Sequence, residues 1–138
     1  MKVLVATDGS EHSMKAVQRG LELAEKQGAR VTLMSVAYSA AGNYMEGMPP
    51  NIQDKLEDEA RGALGKAKAL FDAKNLPVET VLEAGPVPAN LIIRKAQDGK
   101  YDHIVIGSTG RNALERIFMG STAAKVVAHA PCEVTVVR

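Results

Sequence analysis

Gly107, Gly110 and Gly120 punctuate one long segment, with Arg111 beside the second glycine and Ser121 and Thr122 directly after the third. This is a composition suited to phosphate. Glycine lets backbone N–H groups approach an anion without a Cβ in the way, and it tolerates the positive φ angles of an anion-binding nest. Gly120-Ser121-Thr122 opens a helical pattern, whose first N–H groups and positive dipole end favour an anion, and both hydroxyls add donors. Arg111 can neutralise phosphate charge. A second candidate segment, Ala6-Thr7-Asp8-Gly9-Ser10, ends the first strand-like run and supplies a carboxylate. A pair of glycines alone more often serves a turn. The third glycine, with its hydroxyls at a helix start after an apolar strand, shifts the balance toward phosphate.

Other chemistries lack their residues. No G-x-x-x-x-G-K-[ST] occurs, and Thr7–Ser13 (TDGSEHS) lacks the G-x-G-x-x-G of dinucleotide binders. Ser10, Asp8 and His12 resemble a triad in composition only, since they lie too close in sequence to orient one another and no G-x-S-x-G elbow accompanies them. His12 falls in the first loop, His103 begins the fourth strand and His129 ends a helix; with Cys132 they make no metal-ligand spacing. Cys132, after Pro131, reads as a small core residue.

The positioning elements follow from hydrophobic periodicity. Lys2–Thr7, Arg30–Ala37, Val78–Ala84, Asp102–Ile106 and Cys132–Val137 read as strands. Between the first two, Met14, Val17, Leu21 and Ala24 form one face of a helix starting near Ser13, and Gly28 takes its left-handed cap. Tyr38–Pro50 reads as a loop whose methionine-rich part, Tyr44 to Pro50, is either a lid or a plain surface loop. Asn51 is placed to cap the next helix, along Ile52, Leu56, Ala60, Ala63, Ala67 and Leu70. Gly62 and Gly65 weaken that helix but would allow close packing on a sheet. A short helix runs to about Gln97, and another spans about Ser121 to Ala130, where Pro131 stops it. Alternating strands and helices predict an α/β fold: a five-stranded, mostly parallel, doubly wound sheet with helices on both faces. Ligands of such sheets sit beyond the carboxyl ends of the strands, where strand order reverses. If the first and fourth strands are neighbours, both candidate loops converge on one crevice.

Bulk properties narrow the functions further. The 138 residues suit one domain, 1–138, with 46% hydrophobic and 24% charged residues. A net charge of +1 shows no basic excess for nucleic acid. The opening MKVLVATDGS is too short an apolar stretch for a secretory signal, and no run nears the about 20 apolar residues of a membrane span. One cysteine permits no internal disulfide, so a cytoplasmic setting is expected.

With these residues in place, the chain resembles the universal stress protein family. The opening VLVATDGSEHS looks like that family's first strand and loop. Gly107-x-x-Gly110, nine residues, then Gly120-Ser121 is similar to the motif of its ATP-binding branch. The close, His129-Ala-Pro-Cys-Glu-Val-Thr-Val-Val, also resembles the family's. The resemblance implies strand order 3-2-1-4-5, a Rossmann-like fold, a homodimer, a stress-response role, and ATP between the first and fourth strand ends. Carried over by position, Ala6, Thr7 and Asp8 would line the nucleotide, with Asp8 on the ribose or phosphate side. Val36 would meet adenine, Ile106 and Gly107 the adenosine portion, and Gly110, Arg111, Gly120, Ser121 and Thr122 the phosphates. ATP, with or without Mg²⁺, is the expected ligand, and AMP, ADP or a cyclic nucleotide stays open as the alternative. A regulatory ATP-binding module is the leading expectation, with an unknown protein partner and no nucleic acid or membrane. The alternative is a slow ATP hydrolase or phosphoryl transferase, with Glu115 and His12 as substitutes for a base. The joining surface expected for the dimer is the C-terminal strand, as a sheet edge.

Overall fold

In the computed structural model, which describes residues 1–39, 51–108 and 120–138, strands and helices alternate along the chain. They run β1 (Lys2–Ala6), α1 (Glu11–Gln27), β2 (Arg30–Tyr38), α2 (Ile52–Asp72), β3 (Glu79–Gly85), α3 (Pro88–Asp98), β4 (His103–Gly107), α4 (Ser121–His129) and β5 (Glu133–Val137). The strands form one sheet in the order β3-β2-β1-β4-β5, and every pairing is parallel. This is the doubly wound order expected. Strand order reverses between β1 and β4, whose register sets Val3 opposite His103 and Val5 opposite Val105.

Both sheet faces are covered, which explains the unbroken apolar runs of the central strands. On one face Val3, Val5, Val31, Leu33 and Val105 pack with Val17, Leu21, Leu64 and Phe71 from α1 and α2. On the other, Leu4, Ala6, Met34, Ile104 and Ile106 pack with Ala89 and Ile92 of α3 and Ala123 and Val126 of α4. No helix among the described residues is long and apolar enough to cross a membrane.

Three local readings need correction. α1 begins at Glu11, ahead of Ser13, because Ser10 in extended conformation accepts the Ser13 N–H; apolar periodicity starts later because the first turn lies at the polar sheet end. His12 therefore belongs to the first turn of α1, not to a loop. Asn51 does not cap α2 through its side chain: its backbone is in the right-handed helical region, and a capping side chain needs an extended one. Gly62 and Gly65 do not allow close packing on the sheet, since both are exposed and a Cβ built on either meets nothing within 4 Å. The helical glycine that does is Gly20 of α1, where a Cβ would lie 2.6 Å from Val5 Cγ2. Gly28 caps α1 as expected, with φ +65° and its N–H on the Ala24 carbonyl.

Candidate functional site

The carboxyl ends of β1 and β4 lie side by side at the reversal of strand order. Beyond them the backbone ladder continues one step: the Thr7 N–H reaches the Met34 carbonyl at 2.9 Å, and the Ser108 N–H reaches that of Val137 at 2.8 Å. Thr7 and Ser108 thus continue the ladders of β1 and β4.

After Thr7 the chain turns on internal hydrogen bonds. The Asp8 N–H donates to Ser13 Oγ at 3.2 Å, the Gly9 N–H to Thr7 Oγ1 at 3.2 Å, and the Ser10 N–H to Asp8 Oδ1 at 2.8 Å. Gly9 takes φ +82°, a conformation that suits glycine. Ser13 Oγ donates to the Ser10 carbonyl at 3.0 Å. Having spent its one proton, it accepts from the Thr7 hydroxyl across 2.9 Å. Thr7 and Ser13 are both 5% exposed. The Ser10 hydroxyl is engaged as the cap of α1 and Asp8 Oδ1 as a turn acceptor, so two members of the triad-like trio build the loop, while His12 stands in the first turn of α1.

β4 closes on the same turn of α1. A Cβ on Gly107 would lie 2.9 Å from the His12 carbonyl oxygen and 3.1 Å from Ser13 N. Gly107 therefore lets α1 begin directly against β4, a packing role alongside any contact with a ligand. On the β4 side the Gly120 N–H donates to the Ser108 carbonyl at 2.6 Å, which pins the start of α4 to the end of β4. The first bond within α4 runs from the Ala124 N–H to the Gly120 carbonyl. The amides of Ser121, Thr122 and Ala123 precede it, and Gly120 offers no side-chain cap. Such a terminus is electropositive and directs donors outward.

The sheet face beneath α3 and α4 brings Ala6 and Ile106 together, with partly buried Val36 packed against the same cluster. The structure thus gathers Ala6, Thr7, Asp8, Ile106, Gly107, Gly120, Ser121 and Thr122 around adjoining strand ends, and Val36 onto their apolar flank. Gly110, Arg111, Glu115 and the methionine-rich segment lie outside the described residues. Among the described residues no three of His, Cys, Asp and Glu group as metal ligands.

One histidine away from the crevice has partners of its own. His103, at the amino end of β4, pairs with Thr135 Oγ1 at 2.5 Å and lies 3.7 Å from Glu133 Oε2. Cys132 packs partly buried against the second core cluster. Burial pushes its thiol up, with the Asp102 and Glu133 carboxylates adding to the effect. Sequence reasoning missed Ser13 and Ser108. Ser13 carried a signal: it lies three and four residues before Ala16 and Val17 on the buried helix face, where a hydroxyl needs a partner.

A family model described as the Universal stress protein family matches residues 1–138. Universal stress protein MJ0531 of Methanocaldococcus jannaschii is 35% identical over 139 residues, covering 99% of this chain and 81% of that protein. Among solved structures, hypothetical protein MJ0577 is similar with a TM-score of 0.84 at 26% identity, over 99% of this chain and 94% of that one. The universal stress protein from Archaeoglobus fulgidus in complex with dAMP shares the fold, with a TM-score of 0.77 at 22% identity over 100% of this chain and 98% of that one.

Proposed function

The chain belongs to the universal stress protein family, and from that premise we propose that it is a regulatory, stress-response protein that binds ATP across the ends of β1 and β4. The observation that carries the reading is the bond from the Gly120 N–H to the Ser108 carbonyl. It sets the start of α4, to which Gly120 brings no side-chain cap, with the Ser121 and Thr122 hydroxyls, beside the strand end that adjoins the Asp8 loop. Phosphates would meet the start of α4, with Gly110 and Arg111 of the intervening segment. The nucleoside would lie over Ala6, Thr7, Asp8, Ile106 and Gly107, with adenine against Val36. The dAMP complex of the A. fulgidus protein makes an adenine nucleotide the class to test first. The proposed setting is the reducing cytoplasm, suited to a chain with one cysteine. The proposed assembly is a homodimer through β5, an edge of the sheet.

Thermal melting with ATP, ADP, AMP and cyclic AMP, with and without Mg²⁺, tests the reading. A ligand at about 100 times its dissociation constant adds about 2.7 kcal/mol to the native state. ATP should raise the melting temperature most, and nucleotide extracted from the purified protein should be adenine-based. An unchanged melting temperature with ATP would overturn the proposal.

A further inference from the structure

We infer that Ser13 is a positioning residue for the nucleotide loop, holding Thr7 to Ser10 in its binding shape before any ligand arrives. The inference rests on the proposed nucleotide site and adds a residue that touches no ligand. Its basis is the accounting of donors in the loop. The amides of Thr7, Asp8, Gly9 and Ser10 all have protein acceptors, respectively Met34 carbonyl, Ser13 Oγ, Thr7 Oγ1 and Asp8 Oδ1. A loop with every amide already bonded does not wait for a phosphate to order it.

Ser13 is the hub of that set. Its hydroxyl accepts from the Asp8 amide and the Thr7 hydroxyl and donates to the Ser10 carbonyl. It lies in α1, whose first turn rests against Gly107 with no room for a Cβ, so the hub is anchored to β4 as well as to the helix. One buried oxygen therefore relates the β1 loop to the neighbouring strand end. Without it the half-buried Asp8 N–H and the buried Thr7 hydroxyl lose their shared acceptor. The loop then relaxes toward water, and binding must reverse that change. A ligand's apparent affinity falls in proportion to the fraction of molecules holding the competent shape.

Two measurements on the whole protein test this. The first uses no ligand: amide hydrogen exchange should show Asp8 and Gly9 protected in the wild type and unprotected in Ser13→Ala, with the β4 amides unchanged. The second is calorimetric titration with ATP, in which Ser13→Ala should weaken binding about tenfold, because the Asp8 N–H and the Thr7 hydroxyl both lose their acceptor. Thr7→Val, which keeps shape and removes the bridging hydroxyl, should weaken it similarly, and the double variant should cost less than the sum. Rapid exchange of the wild-type Asp8 and Gly9 amides would overturn the inference whatever ATP does. So would Ser13→Ala melting lower while binding ATP as tightly as the wild type. Absence of ATP binding by a wild type whose loop is protected would instead refute the nucleotide reading, and with it the role assigned to Ser13.

Discussion

Alanine at Gly62 or Gly65 should stabilise the protein, whereas the same change at Gly20 should destabilise it, although all three glycines lie inside helices. Replacing a mid-helix glycine by alanine contributes about 0.8–1.0 kcal/mol from backbone entropy alone. At Gly62 and Gly65 the new methyl meets nothing within 4 Å, so each position should return that full amount. At Gly20 the methyl would lie 2.6 Å from Val5 Cγ2 and 3.8 Å from Val31 Cγ1. Val5 is fully buried and β-branched, so its χ1 cannot swing aside cheaply. Overpacking of this kind costs about 1–3 kcal/mol, which equals or exceeds the entropic gain. The comparison between Gly20→Ala and Gly62→Ala cancels the propensity contribution and leaves packing alone. For a chain of this size 1 kcal/mol moves the melting temperature by about 3–4 °C. Calorimetric or circular-dichroism melting should therefore place Gly62→Ala and Gly65→Ala each about 3 °C above the wild type, with Gly20→Ala below it. Adding Val5→Ala to Gly20→Ala should cost less than Val5→Ala costs alone, because it removes the clash. If Gly20→Ala gains as much as Gly62→Ala, α1 does not rest on β1 as described. If Gly62→Ala loses stability, something covers that face of α2.

Ser108 N–H donates to the Val137 carbonyl, so by strand alternation Val137 and Thr135 direct their backbone groups to β4, and Val136 directs its own outward. Val136→Pro should therefore yield folded monomers in sedimentation; a wild type that is monomeric at micromolar concentration would refute the proposed dimer. ATP turnover should fall below the ~1–100 s⁻¹ of kinases, because Asp8 Oδ1 is already engaged by the Ser10 amide and groups that grip ground-state phosphate do not lower a barrier. Single-turnover assay with Mg²⁺, beside Asp8→Asn and His12→Ala, checks this, and several turnovers per second lost in either variant would favour the enzyme alternative. Cys132 should alkylate more slowly than a free thiol at pH 8, with a rate that rises through a midpoint above the ordinary thiol range, since burial and then Asp102 and Glu133 raise its pKa. Reaction at the rate of a free thiol would show that its partial burial does not hold in solution.

Hydrophobic period and turn chemistry, both local properties, determined the elements of this protein. The Met14-Val17-Leu21-Ala24 stripe, the Gly28 cap and the apolar runs of β1 and β4 each specify a shape within a few residues of chain. Those shapes agree with the sheet they build. Asp8, Gly107, Gly120, Ser121 and Thr122 were legible for the same reason, as residue types placed at strand ends and a helix start. Long-range contact decided the rest. That Gly20 is a packing position and Gly62 and Gly65 are not depends on which helix face meets Val5, a residue 15 positions from Gly20 in the chain. A helical glycine looks alike in both settings, so periodicity gave no warning. Asn51 carries the side chain of a cap, but its backbone takes right-handed helical angles rather than the extended ones that would aim it, which residue type does not reveal. The work of Ser13 exists only once α1 has been laid against β1 and β4, since its hydroxyl serves Thr7 and Asp8 across the turn while its backbone closes on Gly107. Residue type limits what a side chain can donate or accept; which partners it meets is decided by the packing of elements distant in sequence.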